Sequence, residues 1–342
     1  MMKKINSLAV LTAVVASMFS ACTNTEEVVM EERRALDFSV FTNKTTRAPE
    51  TQGSLQTDGK SFGVWGYSTF GTDVTNVFLN QPVTYDGTAK VWEYSPLKYW
   101  DKLSSYELYA YYPYQSSGVT ISDDVNKNIT VTDFTVAPLV ANHVDLMLAG
   151  KVTQAVGAAI NKVTFNFNHL LSNINLVFKK DIDIDATKVT LMSVKIYGMS
   201  KKGTFVQTQS PNFFSGNWTV STSASDIVQV DDSDLEELAN SNVLANTDAR
   251  AEFKDMLYIP QNTNTLKLDV TYTLGENGAE QPFSRTLDLS YDATDRAYNP
   301  TSWGQNQKIT YNFTINANVI EFDNPKVEDW ATNQDVEVPT IE

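Results

Sequence analysis

A chain of 342 residues has room for two domains of ordinary size, but its net charge of −15, with no clustered Lys/Arg block, excludes an electrostatic grip on nucleic acid. One cysteine and two histidines, His143 and His169, leave too little for an internal disulfide or for a zinc site built on Cys and His. Stability must come from packed apolar surface, which 17 Phe, 15 Tyr and 6 Trp can supply.

The chain opens with Met1-Met2-Lys3-Lys4, an apolar run from Ile5 to Met18, and Phe19-Ser20-Ala21-Cys22. A basic head, a short apolar run and a small residue before a cut form a secretory signal, and the run is shorter than the roughly 20 residues a membrane-crossing helix needs. A cysteine at the cut offers its thiol for lipid attachment. Residues 1–21 are therefore expected to be a lipoprotein signal peptide and Cys22 the lipidated (diacylglycerol, palmitate) first residue of an outer-membrane protein. Thr23 stands where an Asp would favour inner-membrane retention, which points to the outer membrane, and the acidic pairs Glu26-Glu27 and Glu31-Glu32 favour display on its outer face.

Residues 22–35 read as a tether. Leu36-Asp37-Phe38-Ser39-Val40-Phe41 alternates as a strand does, and a loop with Thr46-Arg47-Ala48-Pro49 follows, where Pro49 and Gly53 interrupt pairing. Strands are then expected at 62–67, 90–94, 106–112 and 128–132. The clearest alternation lies further on: Val163, Phe165 and Phe167; then Leu266, Leu268, Val270, Tyr272 and Leu274; then Ile309, Tyr311, Phe313, Ile315, Ala317 and Val319, each interleaved with polar residues. Further strands are expected at 174–178, 188–197, 203–206, 257–259 and 285–290. One helix is expected from Ser233, where Ser-Asp-Leu-Glu matches a capping box, through Leu235 and Leu238 to Leu244.

Many short strands and one minor helical insertion indicate an all-β protein made of β-sandwiches. Gly150 and Gly157 interrupt the pattern and divide the chain into an N-terminal domain over residues 36–154 and a C-terminal domain over 155–342.

The search for chemistry returns little. Gly66-Tyr67-Ser68-Thr69-Phe70-Gly71 misses the spacing of a serine-hydrolase elbow by one residue. Asp181-Ile182-Asp183-Ile184-Asp185 resembles the start of a calcium loop, but Ala186 and Met192 stand where a glycine and a bidentate Glu are required. A glycosidase needs two facing carboxylates, and nothing selects a pair among the 41 acidic residues. No catalytic, cofactor-binding or metal-ligating residue is assigned, and both histidines read as structural. The aromatic segment from Tyr99-Trp100 to Tyr114 is either sandwich core or, with Trp65, Trp92 and Trp218, a stacking platform for surface glycans; a strand apolar on both faces favours core.

Several segments, in order, resemble the fimbrillin-like lipoproteins of Bacteroidetes, the subunits of type V pili. They are the lipobox at Cys22, Thr46-Arg47-Ala48, Phe62-Gly63-Val64-Trp65-Gly66-Tyr67, Tyr99-Trp100 with Tyr109-Ala110-Tyr111-Tyr112-Pro113, Asp145-Leu146-Met147-Leu148-Ala149, the run from Phe165 to Ser172 with His169, Tyr258-Ile259-Pro260-Gln261, and Val327-Glu328-Asp329-Trp330. The resemblance implies two tandem transthyretin-like β-sandwich domains and a non-enzymatic fimbrial subunit or adhesin. It also implies proteolysis after Arg47, loss of the strand bearing Leu36, Phe38 and Val40, and filling of the vacated groove by a strand from another subunit, for which Val336, Val338 and Ile341 in the C-terminal tail are candidates. The partners implied are other fimbrial subunits, the outer membrane through the lipid, and host or bacterial surface glycans or proteins. The alternative is a surface glycan-binding lipoprotein.

Overall fold

A computed structural model describes residues 34–42, 50–116, 118–121, 127–181, 187–209, 214–230, 243–276, 278–290, 301–316, 320–322 and 326–329. The chain up to the first glycine-rich break forms β1 (Phe38–Thr42), the single-turn helix α1 (Gln52–Leu55), β2 (Ser61–Phe70), β3 (Asp73–Asp86), β4 (Val91–Glu93), β5 (Ser105–Tyr112), β6 (Val119–Ile121), β7 (Ile129–Thr135) and β8 (Met147–Ala149). It continues with β9 (Val152–Gln154), β10 (Val163–His169), β11 (Ser172–Lys180), β12 (Lys188–Ser200), β13 (Lys202–Gln209), β14 (Phe214–Val220), β15 (Ile227–Val230) and β16 (Val243–Leu244). The last strands are β17 (Ala251–Tyr258), β18 (Lys267–Gly275), β19 (Gln281–Asp288), β20 (Gln307–Ile315), β21 (Ile320–Phe322) and β22 (Lys326–Asp329). The protein is all-β, as its alternation predicts. The expected helix from Ser233 lies outside the described residues, apart from Leu244, which is in strand β16 opposite Val189.

Among the described residues the strands form four sheets. The largest follows the order β1-β10-β8-β5-β2-β3-β4, with β9 also on β5. Two five-stranded sheets, β17-β11-β20-β21 with β22 on β20, and β15-β12-β18-β19 with β16 on β12, gather the C-terminal strands. The fourth, β14-β13-β7-β6, joins strands from both halves. Hydrogen bonding thus crosses residue 154: β10 completes the first sheet, and β7 pairs with β13.

The buried apolar side chains fall into two clusters. One, within the first sheet, includes Leu36, Phe38, Phe62, Phe78, Trp92, Leu108, Phe165 and Phe167. The other lies among the remaining sheets and includes Ile174, Phe178, Val194, Leu268, Tyr311 and Phe313. Strands β2 and β5 serve both: Phe62, Val64, Tyr106, Leu108, Ala110 and Tyr112 belong to the first, Trp65, Tyr67, Tyr109 and Tyr111 to the second. Burial on two faces is why these strands read as continuous apolar runs. At Gly63 the backbone lies so close to the Tyr111 ring that a Cβ would stand 2.1 Å from it, so the glycine opens the space for that side chain.

Candidate functional site: the first strand and its groove

β1 lies at one edge of the first sheet, parallel to β10, with Phe38 opposite Val163, Val40 opposite Phe165 and Thr42 opposite Phe167. Its alternation sends Leu36, Phe38 and Val40 inward, each no more than 3% exposed, while Phe41 is 38% exposed on the outer face. The Phe38 ring is stacked at 5.8 Å on Phe165 and meets Phe62, Phe78 and Tyr94 edge-on at 6.2, 5.6 and 5.4 Å. The Asp37 carbonyl accepts the Val163 N–H at 2.8 Å, and the Ser39 and Thr164 hydroxyls lie 2.8 Å apart.

The upstream end of β1 is held by the segment after β4. Leu36 N–H donates to the Lys98 carbonyl at 2.9 Å, the Tyr94 hydroxyl donates to the Leu36 carbonyl at 2.8 Å, and Ala35 bridges to Tyr99. Full burial of an aliphatic or aromatic side chain stabilises by about 1.5–3 kcal/mol, so the three inward residues contribute on the order of 5–9 kcal/mol of gross transfer energy. That is comparable to the roughly 5–15 kcal/mol net stability of a whole domain. These three side chains thus fill a groove whose walls include the rings of Phe62, Phe78, Tyr94 and Phe165.

Beyond Thr42 the described chain resumes at Glu50, which is clamped from several directions. Its backbone N–H donates to Asp145 Oδ2 at 3.1 Å. Its carboxylate accepts from Ser54 Oγ at 2.6 Å, Lys60 Nζ at 2.8 Å and the Tyr112 hydroxyl at 2.8 Å. Asp145, fully buried, accepts from His169 Nδ1 at 2.8 Å through its other oxygen. Burial pushes the Asp145 carboxyl above the usual range, against the pull of His169, and burial followed by the Glu50 charge pushes the Tyr112 phenol up. Thr51 and Ser54 add a capping box to α1, which inserts Leu55 into the first core.

A cavity of about 330 Å³ beside the clamp is lined by Glu50, Lys60, Tyr112, His143 and Asp145, among others. His143 links it to the C-terminal half: its Nε2–H donates to the Ala137 carbonyl at 3.2 Å, and Nδ1 accepts the Leu257 N–H at 2.9 Å. Burial lowers its pKa to about 4. Both ring nitrogens are occupied only in the neutral form.

A fimbrillin-like family profile matches residues 46–330, most of the chain and beginning after β1. The chain belongs to the fimbrillin-like family. It is similar to the fimbrium subunit Fim1C of Phocaeicola vulgatus, with 24% identity over 93% of this chain and 95% of that one. Two solved structures share the fold: a candidate cell adhesion protein from Bacteroides uniformis, with TM-score 0.51 and 22% identity over 87% of this chain and 99% of that one, and another from Bacteroides ovatus, with TM-score 0.50 and 17% identity over 88% and 99%.

In this fimbrillin-like chain, the predicted site residues divide cleanly. Leu36, Phe38 and Val40 are brought together on the inward face of β1; Cys22, Arg47, Val336, Val338 and Ile341 lie outside the described residues. The clamp at Glu50 was not anticipated, although Tyr112, Asp145 and His169 each stand in a segment that carries the family resemblance. Ser68 is a mid-strand residue of β2 opposite Tyr106, not a strand-to-helix elbow. The rings considered for sugar stacking do not form an open platform. Trp65, Trp92 and Trp100 are buried, against Tyr111, Phe62 and Tyr106 respectively, and the partly buried Trp218 donates its indole N–H to the Leu170 carbonyl at 2.8 Å.

Proposed function

We propose that this protein is a non-enzymatic fimbrial subunit of the cell surface, assembled by strand exchange. In this reading it is exported through residues 1–21, anchored in the outer membrane by lipid on Cys22, and cut after Arg47. Cutting releases the segment bearing β1, and a strand from another subunit fills the groove. The C-terminal tail supplies the donor: Val336 and Val338 have the two-residue spacing of Leu36, Phe38 and Val40, and Ile341 follows beyond Pro339.

One observation carries the reading. β1 is an edge strand whose inward side chains fill an aromatic groove, Arg47 lies in sequence between it and Glu50, and Glu50 is anchored to Asp145 and Tyr112. A cut after Arg47 separates the strand from the chain that carries the clamp. Strand addition then gains affinity from main-chain hydrogen bonds and register from alternate side chains in pockets. The names of the similar proteins, a fimbrium subunit and candidate cell adhesion proteins, agree with a surface role.

The test is digestion of the full chain carrying Cys22→Ala with an arginine-specific protease, followed by mass spectrometry and unheated gel electrophoresis. Cleavage after Arg47 and a ladder of oligomers are expected. Resistance at Arg47, or cleavage that leaves a monomer, would sink the reading.

A further inference from the structure

The direction of β1 fixes two unlike ends of the groove. At its Thr42 end β10 finishes at His169, beside Asp145 and Glu50, and the chain runs on directly into β11. That end is occupied by the clamp and by the continuing chain. At the Ala35 end the first sheet presents the β2–β3 turn, the start of β5, and the segments around 97–103 and 155–157. Thr69 pairs with Ser105, Ala35 with Tyr99, and Gly157 N–H donates to the Lys102 carbonyl at 2.9 Å.

Among the described residues, this end carries six exposed large apolar side chains: Phe70, Val74, Leu97, Tyr99, Leu103 and Val156, with Leu103 at 65% and Val74 at 61% exposure. Lys98, Lys102 and Lys162 stand among them with Asp73 and Asp101, and Lys162 lies 3.8 Å from Asp37, which leaves with β1; residues 330–342 contain Asp335, Glu337 and Glu342 and no Lys or Arg. Apolar side chains gathered at one end of a strongly acidic chain mark an interaction surface.

We infer that this end is the seat for a second copy of the chain, whose tail runs into the groove parallel to β10, in the direction of β1. The inference rests on the strand-exchange reading. A C-terminal donor leaves its own body behind its first residue, so a tail parallel to β10 places that body over the Ala35 end. An antiparallel tail would place the body at the Thr42 end, where the clamp and the start of β11 already stand. Thirteen extended residues reach about 40 Å, more than the roughly 23 Å needed to span Leu36 to Thr42. Acidic residues of the arriving tail meet the lysines at the mouth, and the donor's body covers the apolar rim.

The experiment compares Arg-protease-cleaved full-length chains with Cys22→Ala alone, with Leu97→Asn and Leu103→Asn added, and with Leu79→Asn added as an exposed control on β3. Two readouts are taken: the rate of oligomer formation, and binding of a synthetic peptide of residues 330–342, which has no body to seat. The rim variant should oligomerise at least about tenfold more slowly, bind the peptide as the parent does, and differ from the control. Equal oligomerisation by rim variant and parent overturns the seat while leaving strand exchange intact. A parent that neither binds peptide nor oligomerises overturns both. Should the rim variant fold poorly, lysine cross-linking of oligomers mixed from isotopically labelled and unlabelled parent decides: links between copies at Lys98 or Lys102 are expected, and links from these lysines confined within one copy overturn the seat.

Discussion

Phe38→Ala removes the side chain most central to the first-strand groove. Its ring is 2% exposed and meets four other rings within 6.2 Å, and truncating a buried Phe to Ala typically costs about 3–5 kcal/mol through lost transfer energy and the cavity left behind. Because β1 sits at the sheet edge and can partly collapse, the lower half of that range, about 3–4 kcal/mol, is expected. Equilibrium urea unfolding of the uncleaved chain, followed by tryptophan fluorescence, reports the loss: Trp92 packs on Phe62, which itself contacts Phe38. The same substitution should have no effect on the stability of oligomers made after cleavage at Arg47, since the altered strand is then gone. A destabilisation below about 1 kcal/mol in the uncleaved chain, or an equal effect before and after cleavage, would refute the assignment of β1 as the removable filler.

Other consequences follow from the same structure. Val338→Asp should lower the oligomer yield of the cleaved chain at least about tenfold, because a carboxylate would have to be buried in the aromatic groove; wild-type yield would remove the tail from the donor role. Tyr112→Phe deletes a 2.8 Å hydrogen bond to the Glu50 carboxylate and should cost about 1.5–3 kcal/mol by urea unfolding, a value near zero showing that the clamp is not held there. For His143, whose folded pKa is depressed from 6.5 to about 4, the unfolded chain takes up its proton first as the pH falls. The stability it contributes is full above about pH 6.5 and is lost toward pH 4, by about 3 kcal/mol. His143→Gln should flatten the pH dependence of unfolding by that amount, and superposable profiles would contradict the burial argument. Cys22→Ala should abolish metabolic labelling with a radioactive fatty acid; persistent label would place the lipid elsewhere.

The legible parts of the fold were those with one face in a core. The alternations beginning at Val163 and Leu266 became β10 and β18, that beginning at Ile309 became β20 as far as Ile315, with Ala317 and Val319 outside the described residues, and Leu36, Phe38 and Val40 became the inward face of β1. Strand β3 was not foreseen, because residues 73–76 are all exposed and Asn80, with φ of 51°, and Pro82 interrupt the pattern before the buried Val83 and Tyr85. β14 was hidden by Gly216 and Asn217; at Gly216 a Cβ would stand 2.1 Å from the Phe205 ring, a contact with another strand that no local pattern shows. β10 pairs back to β1 across more than a hundred residues, a contact that no local pattern announces. The clamp was illegible for the same reason: Glu50, Lys60, Tyr112, Asp145 and His169 meet only through the sheet.

Hydrogen–deuterium exchange over β10 and the tail tests the central claim most directly. Residues 163–166, which pair with β1 and not with β8, should be protected in the uncleaved chain, open once the strand bearing Phe38 is cut away and the monomer is isolated, and protected again in oligomers, where residues 330–342 gain protection at the same time. Protection of 163–166 that persists in the cleaved monomer, or oligomers in which the tail stays open to exchange, would contradict replacement of β1 by a strand from a second copy.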